Sequence, residues 1–387
     1  MRSGKLVFAQ ITDLIHPEQF RRCVARYEGN YKICRFSCWD QFLAMAFAQL
    51  TYRESLSDIE VCLRSHRDQL YHAGFRSSVA HSTLADANRV RDWRIYADLA
   101  QSLIARARRL YAQEPLGVEL GQTVYALDST TIDLCLSLFP WARFRATKAA
   151  IKLHTLLDLR GPIPTMIAIS DGKQADVRVL DELLPEPGAF YVLDRGYVDF
   201  QRLCRFVLAG AFFVTRTKAG VQLNRLASRP VDRSTGVRSD HVVWLRTFQS
   251  ASHYPERLRR VRYRDPESGK VLVFLTNNFD LPALAIAQLY KCRWQVELFF
   301  KWIKQNLRIK HFFGTTDNAV KTQVWIAVCV YVLVAIVRKQ QAVEISLAHL
   351  LQVLSVNAFS QVALAELVAN TQTQDEPDDS HNQLLLW

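Results

Sequence analysis

Apolar positions recur with two different periods along this chain, and the change of period divides it. From Pro17 to about residue 115 they fall three and four apart, which predicts helices. One opens at Pro17 (PEQFRRCVARYE), Asp40 to Tyr52 is strongly apolar, and Ser55 begins another with Ile59, Cys62 and Leu63 on one side. A polar loop, HAGFRSSVAHS, then leads into TLADANRVRDWRIYADLAQSLIARARRLY, one long helix that Ser82 or Thr83 can cap. At Thr123 the pattern turns to alternation. TVYALDSTTIDLCL is rich in β-branched residues, and AIKLHTLLDL and IPTMIAIS follow on either side of an Arg160-Gly161-Pro162 turn. These predict three consecutive strands joined by hairpins. Asp176 to Leu184 predicts a short helix, AFYVLDRGY a strand, DFQRLCRFVLAG a helix closed by Gly210, and AFFVTRTK a fifth strand.

The order β-β-β-α-β-α-β is that of a ribonuclease-H-like mixed sheet. Residues 219–275 interrupt it with strand-like HVVWLRTF, RLRRVRYRD and KVLVFLTNN, a β-rich insertion. Leu281 begins a long helix, and after Gly314 helices return, from the apolar run Val324 to Val337 to Ile345–Phe359. That run is short for a membrane span and predicts a buried helix. The expected organisation is therefore α/β with helical N- and C-terminal regions. A helical domain covers 1–115, the first part of the sheet 116–218, the insertion 219–275 and the second part 276–320. C-terminal helices occupy 321–370, and 371–387 is a solvated acidic tail.

The chain has 387 residues and a net charge of +12, a balance that favours a polyanionic partner, nucleic acid first. Eight scattered cysteines include no CxxC pair, and Cys34 and Cys38 have no histidines near them to make a zinc site. Scattered thiols, with amphipathic sequence directly after Met1 to Lys5, predict a cytoplasmic protein without a membrane partner.

Three acids stand out against this background. Leu127-Asp128-Ser129 and Leu193-Asp194-Arg195 each put an aspartate after an apolar strand segment, so in such a sheet both emerge near one edge. The third is Glu297, in YKCRWQVELFFKWIK, which should be helical. At about 100° per residue, Tyr290, Arg293, Glu297, Lys301 and Lys304 share one narrow stripe, while Val296, Phe299 and Ile303 turn away. Two accounts of the stripe stand: a salt-bridged solvent face, or a metal-binding carboxylate whose neighbours grip phosphates. Metal-assisted phosphoryl transfer needs acids gathered in this way, because two hard divalent ions must share ligands. Near the chain start, Asn88, Arg89, Arg91 and Arg94 lie in the opening turns of a helix fed by a turn. A helix-turn-helix reader presents such residues to a major groove, and a solvated basic helix would show the same pattern.

Asp128, the Asp194 of VLDRGY and the spacing Tyr290-x2-Arg293-x3-Glu297-x6-Lys304 resemble the bacterial insertion-sequence DDE transposases. Within them the match is to the insertion-sequence-four family with its Y-R-E-K signature. ALDSTTIDL, the KLH of Lys152 to His154, the β-rich insertion and STLADAN are similar to that family too, so the resemblance spans roughly residues 30–340. It implies a dimer acting on double-stranded DNA, on paired inverted-repeat ends and then on a target. Two Mg2+ ions, or Mn2+ in their place, would be held by Asp128, Asp194 and Glu297. Cleavage in well-studied relatives runs through a hairpin, and DNA binding would associate the protein with the nucleoid.

The resemblance also implies that Tyr290, Arg293 and Lys304 hold terminal phosphates. Trp244 would hold a flipped base and Trp294 would probe the duplex, although strand alternation could equally bury Trp244 in the insertion. Asp133, on the opposite strand face, reads as structural, Asp158 as turn chemistry, Asp176 as a helix cap, and His154 as a satisfied histidine of the sheet. Two other functions share the pattern: a ribonuclease-H-fold nuclease without strand transfer, and an inactive DNA-binding regulator.

Overall fold

The computed structural model describes residues 4–118, 120–145, 147–307 and 311–372, so most of the expected acidic tail lies outside the described residues. It divides into two compact units. One holds residues 4–112, 132–151 and 300–372; the other holds 113–131 and 152–299. The helical segments at the two ends of the chain thus share a unit.

In the first unit α1 (Val7–Thr12), α2 (Pro17–Arg26), α3 (Cys38–Leu50), α4 (Leu56–Ser65), α5 (His81–Val90) and α6 (Arg94–Tyr111) come in sequence. Ser37 and Ser55 cap α3 and α4 by accepting from the amides of Asp40 and Asp58. The long helix expected from Thr83 is two helices. α5 starts at His81 with no side-chain cap. Asp92 ends the run because its carboxylate accepts from the Arg94 amide at 2.9 Å and starts α6.

The strands of the sheet are, along the chain, β1 (Val124–Leu134), β2 (Arg143–Arg145), β3 (Lys148–Asp158), β4 (Ile163–Asp171), β5 (Phe190–Leu193), β6 (Phe212–Arg216), β7 (Leu223–Arg229), β8 (Val237–Leu245), β9 (Leu258–Arg264) and β10 (Val271–Thr276), with β4 to β10 wholly in the second unit. They are hydrogen-bonded in the order β2-β3-β1-β5-β6-β10-β9-β8-β7, with β4 on β3, and β5 is parallel to both β1 and β6. This is the mixed, ribonuclease-H-like sheet expected of the sequence. The short helix expected from Asp176 is a 3-10 turn, Asp176–Asp181. α7 (Phe200–Leu208) follows β5, capped by Asp199 and closed by Gly210 at φ 68°.

The insertion continues the sheet instead of standing beside it, because β10 pairs antiparallel with β6. It contains four strands and a short helix, α8 (Phe248–His253). Val243, Leu245, Tyr254 and Leu258 join the core formed by Tyr125, Leu127, Tyr191, Leu193 and Phe213.

The expected continuous helix is α9 (Ala283–Cys292) and α10 (Trp294–Asn306), meeting at Arg293. The interruption is slight: the Arg293 amide donates to Tyr290 and the Val296 amide to Arg293, three-residue steps that tighten one turn. The first unit resumes with α11 (Asp317–Gln340), α12 (Leu347–Val356) and α13 (Leu364–Gln372). By length and composition α11 could cross a membrane, yet 94% of its apolar window is buried inside the protein. Apolar all round, it packs against α3, α5, α6 and α12 as a central helix. Asn318 at its start donates to the carbonyls of Asn88 and Arg91 and so satisfies the end of α5.

Candidate active site

The two aspartates are placed by sheet register. Val124–Leu127 pairs with Phe190–Leu193 residue for residue, so Asp128 and Asp194 are the next positions along parallel neighbours. They differ in setting: β1 runs on to Leu134, leaving Asp128 within a strand, whereas β5 stops and Asp194 caps a 3-10 turn by accepting from Gly196. Glu297 comes from the first turn of α10.

Arg293 joins these elements. Its guanidinium donates to the Asp128 carboxylate and, at 2.6 Å, to Glu297, and its side chain is only 15% exposed. Tyr290, buried against Phe274, donates its hydroxyl to Asp194 at 3.3 Å, with the Arg293 guanidinium over its ring. The stripe inferred from helical periodicity is therefore a half-enclosed acid cluster with one internal cation, and its Tyr290–Glu297 part faces inward.

The electrostatics follow from enclosure. Burial pushes the Asp128 carboxyl up to about 6; Arg293 and the Ser129 amide oppose the shift, while Asp194 and Glu297 add to it. Burial works against the charge on Arg293, but Tyr290, Asp128 and Glu297 outweigh it and hold the guanidinium charged. The Tyr290 phenol is pushed up to about 12, chiefly by burial.

Carboxylate oxygens of this kind suit magnesium or manganese. Among the described residues no three acid, histidine or cysteine side chains are gathered as a metal site. Arg293 stands between Asp128 and Glu297 and supplies the positive charge there. The donor chemistry fits a hard divalent ion, and such an ion would take over the role that Arg293 fills.

Asp176 belongs to this neighbourhood, a placement that its sequence context does not reveal. Ala175, not Asp176, precedes the 3-10 turn as its cap residue. The Asp176 carboxylate accepts from Ser129, next to Asp128, and from Lys152 on β3, each at 3.0 Å. The KLH motif was the available signal, since Lys152 is its first residue. Its His154 is fully buried, bonds Ser170 at 3.0 Å and is held below its ordinary pKa by burial. Asp158 accepts from the Arg160 amide, as turn chemistry requires, and Asp133 is exposed.

The remaining expected contacts divide. Trp244 is 52% exposed on β8, so the insertion's core does not take it. It lies on the same sheet face as Val242 and Asp240. Trp294 is also partly exposed, at the start of α10. Lys304 lies two turns past Glu297, in the portion of α10 assigned to the first unit.

In the N-terminal helices two of the four candidates are committed internally. Asn88 is 2% exposed and accepts from Gln41. Arg91 is buried and donates to the carbonyls of Phe36 and Ser37 and to Gln41. Neither can read a base from that position. Arg89 and Arg94 are exposed, paired with Asp86 and Asp92. The 15 residues 66–80 between α4 and α5 also exceed the short turn of a helix-turn-helix.

Residues 119–333 match the family model described as Transposase DDE domain, and residues 3–76 match one described as Domain of unknown function (DUF4372). Asp128, Asp194, Arg293 and Glu297 all fall within the first match. The chain is 34% identical over 258 residues to "Putative transposase y4zB" of Sinorhizobium fredii, covering 65% of this chain and 70% of the relative. It is 32% identical to "Probable transposase for insertion sequence element IS5377" of Geobacillus stearothermophilus, over 65% of this chain and 66% of that protein. A third similarity, 24% identity over 81% of this chain and 87% of the relative, is to "Putative transposase for insertion sequence element IS4SA" of Synechocystis.

Proposed function

This chain belongs to the DDE transposases of bacterial insertion sequences, and we propose that it binds inverted-repeat DNA ends and carries out metal-dependent cleavage and strand transfer. The observation that carries the proposal is the convergence of three acids from separate elements. Two sit at adjacent register positions of parallel strands, and the third is held to the first by a shared arginine. A salt-bridged solvent face would leave Arg293 in water, and its side chain is 85% removed from it.

Asp128, Asp194 and Glu297 are the residues that would hold divalent ions, the cofactors DDE transposase domains use. When bound, such ions activate an attacking hydroxyl and stabilise the leaving oxygen of a phosphodiester. The chain's own residues prepare for this. Tyr290 orients Asp194, Arg293 keeps Asp128 and Glu297 from repelling each other, and Lys152 with Asp176 fixes Ser129 beside Asp128. Arg293, Tyr290 and Lys304 take terminal phosphates, Trp244 and Trp294 meet bases at the deformed end, and two copies bring paired ends together. Membership of the insertion-sequence-four family, with its hairpin route, accords with the intact Y-R-E-K spacing.

End cleavage with magnesium tests the proposal. A substrate carrying the inverted repeats that flank the coding region should be cut at the repeat boundary, and random duplex should not. Cutting of any duplex would make the chain a nuclease, and repeat binding without cutting would make it a regulator.

A further inference from the structure

We propose that Asp176 is a fourth carboxylate for the divalent ions of this site, with Tyr197 as the hydroxyl that bonds their hydration shell. The inference rests on the metal-dependent reading above and adds to it two residues that the three-acid pattern leaves out.

All the residues concerned lie in the second unit. Asp176 opens the 3-10 turn Asp176–Asp181, which packs on the turn Arg195–Tyr197 that follows Asp194. Its two oxygens have different surroundings. Oδ1 accepts from the Ser129 hydroxyl and from the Lys152 ammonium, each at 3.0 Å. Oδ2 receives no hydrogen bond among the described residues and lies close to Gly196. A Cβ built on Gly196 would stand 4.0 Å from it and 3.8 Å from Oδ2 of Asp194. Oxygens of two carboxylates thus approach one glycine, whose missing side chain leaves the space they share open.

Lys152 holds Asp176 there. Its side chain is only 16% exposed and donates to the Gln174 carbonyl at 2.9 Å as well as to Asp176. A cation so enclosed is favourable only beside a fixed negative charge, so Lys152 and Asp176 keep each other in place, as Arg293 does for Asp128 and Glu297. Asp176 itself is 35% exposed, and an ion from solvent can reach Oδ2.

Tyr197, the last residue of VLDRGY, points to a ligand independently. It is 1% exposed, in the core with Leu127 and Leu193, and its hydroxyl has no hydrogen-bond partner among the described residues. A buried hydroxyl left idle is costly. Burial raises the phenol pKa, and the charges of Asp128, Asp176 and Asp194 raise it further against an opposing effect of Ser129, so the hydroxyl faces the acids. Magnesium and manganese keep several waters when carboxylates bind them, and such waters offer the partner that Tyr197 lacks.

The test is Mn2+ binding to the full chain without DNA, by calorimetry and electron paramagnetic resonance. Asp176→Asn keeps an Oδ1 acceptor for Ser129 and Lys152 but loses the charge and the second carboxylate oxygen. It should weaken Mn2+ binding about tenfold or more, the usual effect of altering a group that surrounds a metal. Asp133→Asn, at an exposed position of β1, should leave binding unchanged. Tyr197→Phe should melt no lower than wild type with chelator present, since it loses only an idle hydroxyl, and should gain less from added Mn2+. If Asp176→Asn does not fold, Gly196→Ala decides. Its Cβ meets both carboxylates at ordinary contact distances, so the chain should fold and bind Mn2+ more weakly. Folded variants that bind Mn2+ as wild type does would overturn the proposal and leave Asp176 a structural partner of Lys152. Wild type that takes up no Mn2+ would instead defeat the metal reading itself, and the proposal with it.

Discussion

Replacing Asp128 with asparagine should make the protein more stable at neutral pH while ending its catalysis. Burial lifts this carboxyl from the usual 3.8 to about 6, so its ionised form is disfavoured in the folded state. The folded chain holds a proton here that the unfolded chain has lost between about pH 4 and 6. Stability from this group therefore falls as pH rises through that window and stays low above it. At 1.36 kcal/mol per pKa unit, the loss is of the order of 3 kcal/mol by pH 7.5. Asparagine resembles the protonated acid in shape and polarity and still accepts from Arg293. Asp128→Asn should thus recover up to about 3 kcal/mol at pH 7.5 and nothing near pH 4. For a domain of this size the gain is roughly 2–4 °C in melting midpoint per kcal/mol. Urea unfolding at both pH values, with chelator present, measures it, and Asp133→Asn, an exposed aspartate on the same strand, is the control. A destabilised Asn variant at pH 7.5, or an equal gain at both pH values, would refute the reasoning.

Other predictions concern the rest of the site and the fold. Asp194→Ala and Glu297→Ala should each abolish end cleavage in a gel assay while end binding by mobility shift stays within about twofold, because the proposed role of these acids is to hold metal and not to read bases. Arg293→Ala should cost about 2 kcal/mol of stability at pH 7.5 and less at pH 5, where Asp128 takes a proton; urea midpoints at the two pH values check this. Trp244→Ala should leave the melting midpoint unchanged, since the ring is exposed, and should permit the first nick but block hairpin formation. An abasic site opposite should partly restore the hairpin. Residues 1–115 expressed alone should fail to fold cooperatively, seen as dye binding and a broad thermal transition, because α3, α5 and α6 lose α11.

Much of this was legible because periodicity and burial agree. The alternation of TVYALDSTT and the apolar start of VLDRGY put one aspartate within a strand and the other at the end of one; the structure keeps Asp128 in β1 and sets Asp194 directly after β5. What stayed hidden depends on partners distant in sequence. A helical wheel puts Arg293 on a polar stripe, but only the fold turns that stripe toward Asp128, 165 residues earlier. Asn88 and Arg91 look like exposed readers until Gln41 of α3 is seen to occupy them. β7 escaped detection for the opposite reason: its described residues are exposed or half-exposed on both faces, so no alternation marks QLNRLASR as a strand. The α5–α6 break carries no Gly or Pro; Asp92 accepts from the Arg94 amide on one side of it, and the distant Asn318 takes the carbonyls of Asn88 and Arg91 on the other.

Arg293 exposes a conflict between folding and function. Three carboxylates converging in a partly dry site repel each other, and their mutual influence is already visible in the raised Asp128. A single guanidinium, reaching two of them, offsets that repulsion in the free protein. The proposed role of the same residue, gripping a terminal phosphate, requires it to turn away from the acids. That movement would leave Asp128, Asp194 and Glu297 with excess negative charge at the point where divalent ions are needed. DNA and metal would then favour each other's binding without touching the same atoms, because each relieves what the other's arrival exposes. The tightened turn at Arg293 gives this exchange a place in the backbone. α9 and α10 meet at the one residue that must serve both states, while Tyr290 before it and Glu297 after it stay anchored to their helices.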